Sequence, residues 1–184
     1  MPERELILGG QKSGKSRRAE LGAAAWLALS ATHRAVLVAT AEAHDDEMRA
    51  RIARHQADRG ERVPGLATIE EPRALAETLA ALSAPDTLVV VDCLTLWLTH
   101  LLMPMAGAPV DPREATDALL QSLRNARGPL ILVGNEIGLG VIPMGREVRA
   151  FVDALGRLNQ DVAAACDRVT LMAAGLPLTL KEPG

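Results

Sequence analysis

The bend Gly9-Gly10-Gln11-Lys12-Ser13-Gly14-Lys15-Ser16 fits the pattern G-x-x-x-x-G-K-[ST]. The chain holds only three lysines against seventeen arginines, and two of the three fall inside this bend. Glycines let successive backbone N–H groups turn inward around phosphate oxygens. A helix opening directly behind them adds the partial positive charge of its N-terminus. Lys15 then reaches the β- and γ-phosphates, and the Ser16 hydroxyl serves as a ligand for Mg²⁺. The chemistry these residue types specify is capture of a nucleoside triphosphate. Asp92 closes the apolar run "LVVVD", where a carboxylate would hold the same ion directly or through water. An acid in that place also suits the N-cap of a following helix.

A second constellation lies in "AEAHDDEMRARIARHQADRGER". Asp45, Asp46 and Glu47 crowd the start of a helix predicted over 45–59, where they complement its dipole. Arg51, His55 and Arg59 recur every four residues and share one face, flanked by Arg54 and Asp58. Arginines disfavour the imidazolium form, which leaves a neutral and nucleophilic ring at pH 7. They would also attract phosphate and offset charge building up at phosphorus. Attack by one ring nitrogen would give a phosphoramidate and divide one transfer into two easier ones. Spacing alone, however, favours a solvated, charge-patterned face and does not promote His55. His33, His44 and His100 read as loop, helix start and amphipathic helix.

These residues need a frame to position them. Strands are expected at 5–8, 35–40, 66–69, 87–92, 129–134 and 168–173, each nearly continuous in apolar residues, as parallel strands covered on both faces require. Helical patterns fall between them at about 15–30, 45–59, 72–83, 94–103, 113–126 and 146–165. The alternation predicts an α/β fold, a mostly parallel sheet with helices on both faces. "LPLTLK" follows "AAG" closely enough to return as a short antiparallel edge strand through a tight turn. Ligands of such sheets bind at the carboxyl ends of the strands.

At 184 residues, with no internal repeat or long linker, residues 1–184 are expected to form a single domain. A net charge of −3 gives no general attraction to nucleic acid or anionic membranes, and one Phe, two Trp and no Tyr supply no stacking platform for single strands. The most apolar segment, "LVVVDCLTLWLTHLLMPM", carries Asp92 and His100 and reads as strand plus helix, with no membrane span. Cys93 and Cys166 lack metal-ligand spacing and read as reduced thiols of a cytoplasmic protein. "MPERE" leads straight into the first strand, leaving no room for a signal peptide.

Five segments in order, "GGQKSGKSRRAE", "VATAEAHDDEMRARIARHQ", "VVVDCLTLWLTHLL", "GNEIGLGVIP" and "RLNQDVAAACDRV", together resemble one family. It is the bifunctional adenosylcobinamide kinase / adenosylcobinamide-phosphate guanylyltransferase family of cobalamin biosynthesis. The resemblance implies a RecA-like P-loop NTPase sheet and a homotrimer. It implies phosphorylation of the adenosylcobinamide hydroxyl with ATP or GTP, then transfer of GMP from GTP to that phosphate, with release of pyrophosphate. It assigns a GMP-histidine intermediate to His55, the residue matching the family's nucleophile; Arg54 stands where some relatives carry another His. By the same resemblance, nucleotide contacts map to Gly9, Gly10, Gln11, Lys12, Ser13, Gly14, Lys15 and Ser16. Others map to Thr40, Ala41, Glu42, Gln56, Ala57, Asp58, Arg59, Glu70 and Asp92. Catalysis would fall to His55 and Lys15, and Mg²⁺ to Ser16 and Asp92.

Glu136, in the loop after the fifth strand, reads as an arginine partner, an aid to the accepting phosphate or a turn residue. Trp97 and Leu101, four apart in an apolar helix, read as core and not as a corrinoid platform. Two rivals stay open: a P-loop small-molecule kinase without nucleotidyl transfer, and a non-enzymatic nucleotide switch.

Overall fold

A computed structural model of the chain describes residues 4–42, 57, 59–105 and 107–183. The elements in order are β1 (Arg4–Gly9), α1 (Lys15–Leu29), β2 (Arg34–Ala39), β3 (Leu66–Glu70), α2 (Leu75–Leu82) and β4 (Thr87–Asp92), followed by α3 (Leu94–Leu102), α4 (Pro112–Asn125), β5 (Leu130–Val133), α5 (Arg146–Ala165), β6 (Arg168–Ala173) and β7 (Leu176–Lys181). Every strand expected from the apolar runs is present. The helix expected at 45–59 falls almost wholly outside the described residues.

The strands form one sheet in the order β3-β2-β4-β5-β1-β6-β7. All neighbours are parallel up to β6, and β7 returns antiparallel beside it. The return is a two-residue turn, Ala174-Gly175, with φ of 52° and 80°. Positive φ at both central residues matches the twist of the two strands. The result is the mostly parallel sheet with one antiparallel edge strand that the βα alternation predicts.

Side-chain alternation along the strands builds two cores. Ile7, Leu37, Leu88, Val90, Ile131 and Val133 face one side, where Ala19 and Ala23 let α1 approach closely. Leu6, Leu8, Val89, Val91, Leu130 and Leu132 face the other, under Leu79 of α2, Trp97 of α3, Leu119 of α4 and Leu158 of α5. Trp97 and Leu101 are both buried in that second core, and the Trp97 indole N–H donates to the Arg73 carbonyl at 2.9 Å. They are core residues, as their spacing indicates.

Both cysteines are free and buried. Burial pushes the Cys93 thiol up to about 11 and the Cys166 thiol up to about 12, against 9.0 for an ordinary thiol. Between pH 9 and 11 the unfolded chain sheds these protons while the folded chain keeps them. Stability is therefore full below pH 9 and falls above it, by about 1.4 kcal/mol per pH unit for each thiol. Urea midpoints measured across that range should drop, and Cys166→Ala should flatten the slope; an unchanged slope would contradict the assignment.

Candidate nucleotide and phosphoryl-transfer site

The carboxyl ends of the strands meet along one edge of the sheet. Ala39 is level with both Glu70 and Asp92, Asp92 is level with Val133, and Val133 with Ile7. The register thus sets Glu70, Thr40, Asp92 and the start of the phosphate loop along a single rim.

The loop's shape depends on its glycines. Gly9 has φ 152°, and a Cβ there would lie 2.5 Å from the Met172 carbonyl oxygen and 2.6 Å from Ser13 Oγ. Any side chain at this position would displace backbone. Gly14 has φ 102° at the entry to α1, and no side chain caps that helix. By contrast, Asp111 caps α4 by accepting from the Arg113 N–H, with Pro112 in the first turn. The first N–H groups of α1 are left for an anion.

Lys15 is buried and turns back over the loop, its Nζ donating to the Gly10 carbonyl at 2.6 Å. Desolvation lowers its pKa, an effect opposed by Cys93 and Asp92. Burial raises the pKa of Asp92, whereas a hydrogen bond from Ser16, the Arg59 guanidinium and Lys15 draw it back down. Ser16 and Asp92, predicted from separate motifs, therefore lie near enough for the Ser16 hydroxyl to act on the Asp92 carboxyl. A hydroxyl and a carboxylate are hard oxygen donors that suit Mg²⁺, which takes few protein ligands and completes its shell with phosphates and water. The residues present fit that ion. Among the described residues no cluster of three or more His, Cys, Asp or Glu offers a metal cage of its own.

The remaining predicted residues fall as follows. Thr40 is fully buried; its hydroxyl donates to the Cys93 carbonyl at 2.7 Å and accepts from the Cys93 N–H at 2.8 Å. It thereby ties the end of β2 to the residue after Asp92. Ala41 and Glu42 continue from it, and a Glu42 oxygen lies 3.6 Å from His100 Nδ1. Glu70 ends β3 on the exposed rim. Ala57 is exposed, whereas Arg59 is buried. His55, Gln56 and Asp58 lie outside the described residues. His33 stacks on Trp26, with centroids 3.7 Å apart, and belongs to the far end of α1.

Sequence reasoning missed Glu20. It sits four residues after Ser16, hence on the same face of α1, and is buried. Its carboxylate accepts from Arg62 Nε at 2.9 Å and from Arg62 Nη2 at 3.1 Å, and lies 3.6 Å from Arg59 Nε. The spacing from Ser16 was the available signal, but nothing local named its partners. Glu20 pins the chain at 59–62 to the phosphate-loop helix. Glu20→Gln would take from the buried Arg59 the carboxylate 3.6 Å away, leaving Asp92 as the acid near it, and a loss of about 3 kcal/mol in urea unfolding is expected. A loss under 1 kcal/mol would show the pair to be dispensable.

Above the loop lies a cleft of about 420 Å³ lined by Gly10–Ser13, Glu136, Leu139 and residues 171–174. The hairpin closes it from behind, with the Gly175 N–H donating to the Ser13 carbonyl at 3.0 Å.

The family described as cobinamide kinase / cobinamide phosphate guanyltransferase matches residues 5–180. The bifunctional adenosylcobalamin biosynthesis protein CobP of Pseudomonas aeruginosa is 48% identical over 182 residues, covering 98% of this chain and 99% of that protein. The bifunctional adenosylcobalamin biosynthesis protein CobU of Escherichia coli is 35% identical over 188 residues, covering 96% and 98% respectively. Among solved structures, the flagellar accessory protein FlaH from Methanocaldococcus jannaschii aligns with a TM-score of 0.53 at 10% identity. That alignment covers 98% of this chain and 79% of FlaH, and the likeness shows the fold alone. A family match that runs from β1 to β7, with relatives similar over their full length, places this chain in the cobinamide kinase / cobinamide phosphate guanyltransferase family.

Proposed function

We propose that this chain, as a single catalytic domain, phosphorylates the hydroxyl of adenosylcobinamide with ATP or GTP and then transfers GMP from GTP onto that phosphate. What supports the reading is the fold of the loop, with Lys15 Nζ on the Gly10 carbonyl at 2.6 Å and Asp92 at the end of the apolar strand β4, where Ser16 and Lys15 both act on its carboxyl. Gly9–Ser16 cradle the phosphates, and the Ser13 hydroxyl, buried without a partner among the described residues, is suited to a phosphate oxygen. Ser16 and Asp92 would hold Mg²⁺, which would supply charge neutralisation across the phosphates.

In the kinase step the acceptor oxygen bonds to the γ-phosphorus as the bond to the β,γ-bridging oxygen breaks. Lys15 offsets the charge moving onto the leaving diphosphate. In the second reaction His55 attacks the α-phosphorus and pyrophosphate leaves. The substrate phosphate then displaces the imidazole, completing adenosylcobinamide-GDP. His55 precedes Arg59 by four residues, a span of at most about 14 Å, and Arg59 is anchored on α1 by Glu20. The two reactions need different phosphorus atoms near the acceptor. The nucleotide pose therefore differs between them, and the homotrimer that the family resemblance implies would let a neighbouring subunit close the site. Thr40 acts through Cys93 to hold Asp92 in place, while Ala41, Glu42, Gln56, Ala57, Asp58, Arg59 and Glu70 frame the nucleotide. Two buried, reduced thiols accord with a cytoplasmic setting.

The test follows corrinoid products by chromatography. With ATP and Mg²⁺ alone the reaction should stop at adenosylcobinamide phosphate; added GTP should carry it to adenosylcobinamide-GDP. Nucleotide binding with no corrinoid-dependent turnover would point to a nucleotide switch instead.

A further inference from the structure

The loop after β5 combines a fixed stem with an unusual tip. At the stem, the Gly134 N–H donates to the Ile7 carbonyl at 2.9 Å and the Glu136 N–H to the Gly9 carbonyl at 3.1 Å. The Asn135 N–H donates to Thr95 Oγ1 at 2.9 Å, while its carbonyl accepts from Asn159 Nδ2 at 3.1 Å. At the tip, Leu139, Val141, Ile142 and Met144 are 81%, 95%, 78% and 96% exposed. Four large apolar side chains in six residues, almost wholly in water, mark a surface that something covers.

The sheet order says what must lie there. β5 runs between β4, which ends in Asp92, and β1, which ends in the phosphate loop. Neighbouring strands are about 4.8 Å apart, so the loop rises between the ion-holding carboxylate and the phosphate cradle. Leu139 and Glu136 line the same cleft as Gly10–Ser13. An acceptor oxygen must come within about 3–3.5 Å of the phosphorus it attacks. The rest of that acceptor then extends outward past this loop.

We propose that the loop at 137–144 is the seat of the corrinoid, with ring methyl groups of the macrocycle lying on Leu139, Val141, Ile142 and Met144. The assignment rests on the function proposed above and names the part of the site that reads the acceptor. A corrin is broad and carries ring methyl groups between its amide arms, so a projecting apolar tip can meet the methyls while the amides stay in water, which a closed pocket would not allow. The aromatic side chains are engaged elsewhere: Trp97 is buried in the core, Phe151 packs against that core and Trp26 stacks on His33. The clamped stem holds the tip at a set distance from the phosphates while leaving it open to a bulky substrate.

The test is a Val141→Ser/Ile142→Ser double variant, with Leu178→Ser on exposed β7 as control. Binding is read by ultrafiltration of adenosylcobinamide, followed by its own visible absorbance, and kinetics by KM for each substrate. The double variant should weaken corrinoid retention and raise the corrinoid KM at least about tenfold, with KM for GTP unchanged and sedimentation unaltered. Leu178→Ser should change none of these. Unchanged corrinoid retention would overturn the assignment. A lower sedimentation coefficient in the double variant would also overturn it, because the patch would then be a contact between copies of the chain. Transfer of GMP to the protein needs no corrinoid, so its loss in wild type would count against the proposed function and not against the seat.

Discussion

Lys15→Ala is expected to lower phosphoryl and guanylyl transfer together, each by about 10²–10³-fold or more. In the proposed function each reaction draws on a triphosphate held by the same loop, and the Lys15 ammonium is the lysine charge set into its interior. The structure shows the side chain buried and folded over the loop with Nζ on the Gly10 carbonyl, so its charge is already delivered where the phosphates would lie. Lys15→Arg should rescue little, because a planar guanidinium cannot occupy the place of a compact ammonium. The effect belongs to kcat/KM for both substrates, read by chromatography, with thermal unfolding as the control for folding. Retention of either reaction at near wild-type rate would place its nucleotide somewhere other than Gly9–Ser16.

His55→Ala should separate the reactions that Lys15→Ala removes together. Without a nucleophile the α-phosphorus has no covalent route, and guanylyl transfer should fall on the order of 10⁴-fold or more. Phosphorylation of the hydroxyl uses the γ-phosphorus and no imidazole, so it should continue within a few-fold of wild type. Adenosylcobinamide phosphate would accumulate even with excess GTP. Equal loss of both activities would instead assign His55 to nucleotide binding. Equal retention would reduce it to a surface residue and leave a simple kinase.

Which of these features are legible in the amino-acid sequence depends on where the information sits in the chain. The phosphate loop is readable because its glycines, lysine and serine are contiguous and their spacing is dictated by phosphate geometry. Asp92 is readable because it interrupts an apolar run at the point where a strand must end. The Ala174-Gly175 turn is readable too, since only a tight return joins "RVTLMA" to "LPLTLK". Strand order is not: apolar periodicity reports that a strand is covered, not which strand lies beside it. That order matters, since the position of β5 between β4 and β1 is what sets the 137–144 loop between Asp92 and the phosphate loop.

Pairings across long separations are equally hidden. Glu20 with Arg62, and the Thr40 hydroxyl with the backbone of Cys93, join residues 42 and 53 positions apart. Each residue alone looks ordinary on its own element. His55 stands apart from these cases. Its spacing among arginines is visible, yet charge-patterned helices are common enough that only the family resemblance raises it to a nucleophile, and it lies outside the described residues.

Covalent labelling tests the account's central claim most directly. The protein is mixed with Mg²⁺ and GTP labelled at the α-phosphorus, without corrinoid, then denatured and split between alkali and acid. The expected result is label on the wild-type chain that survives alkali, is released by acid, and is absent from His55→Ala, as a phosphorus–nitrogen bond at that ring requires. No label on the wild type, or full labelling of His55→Ala, would contradict it.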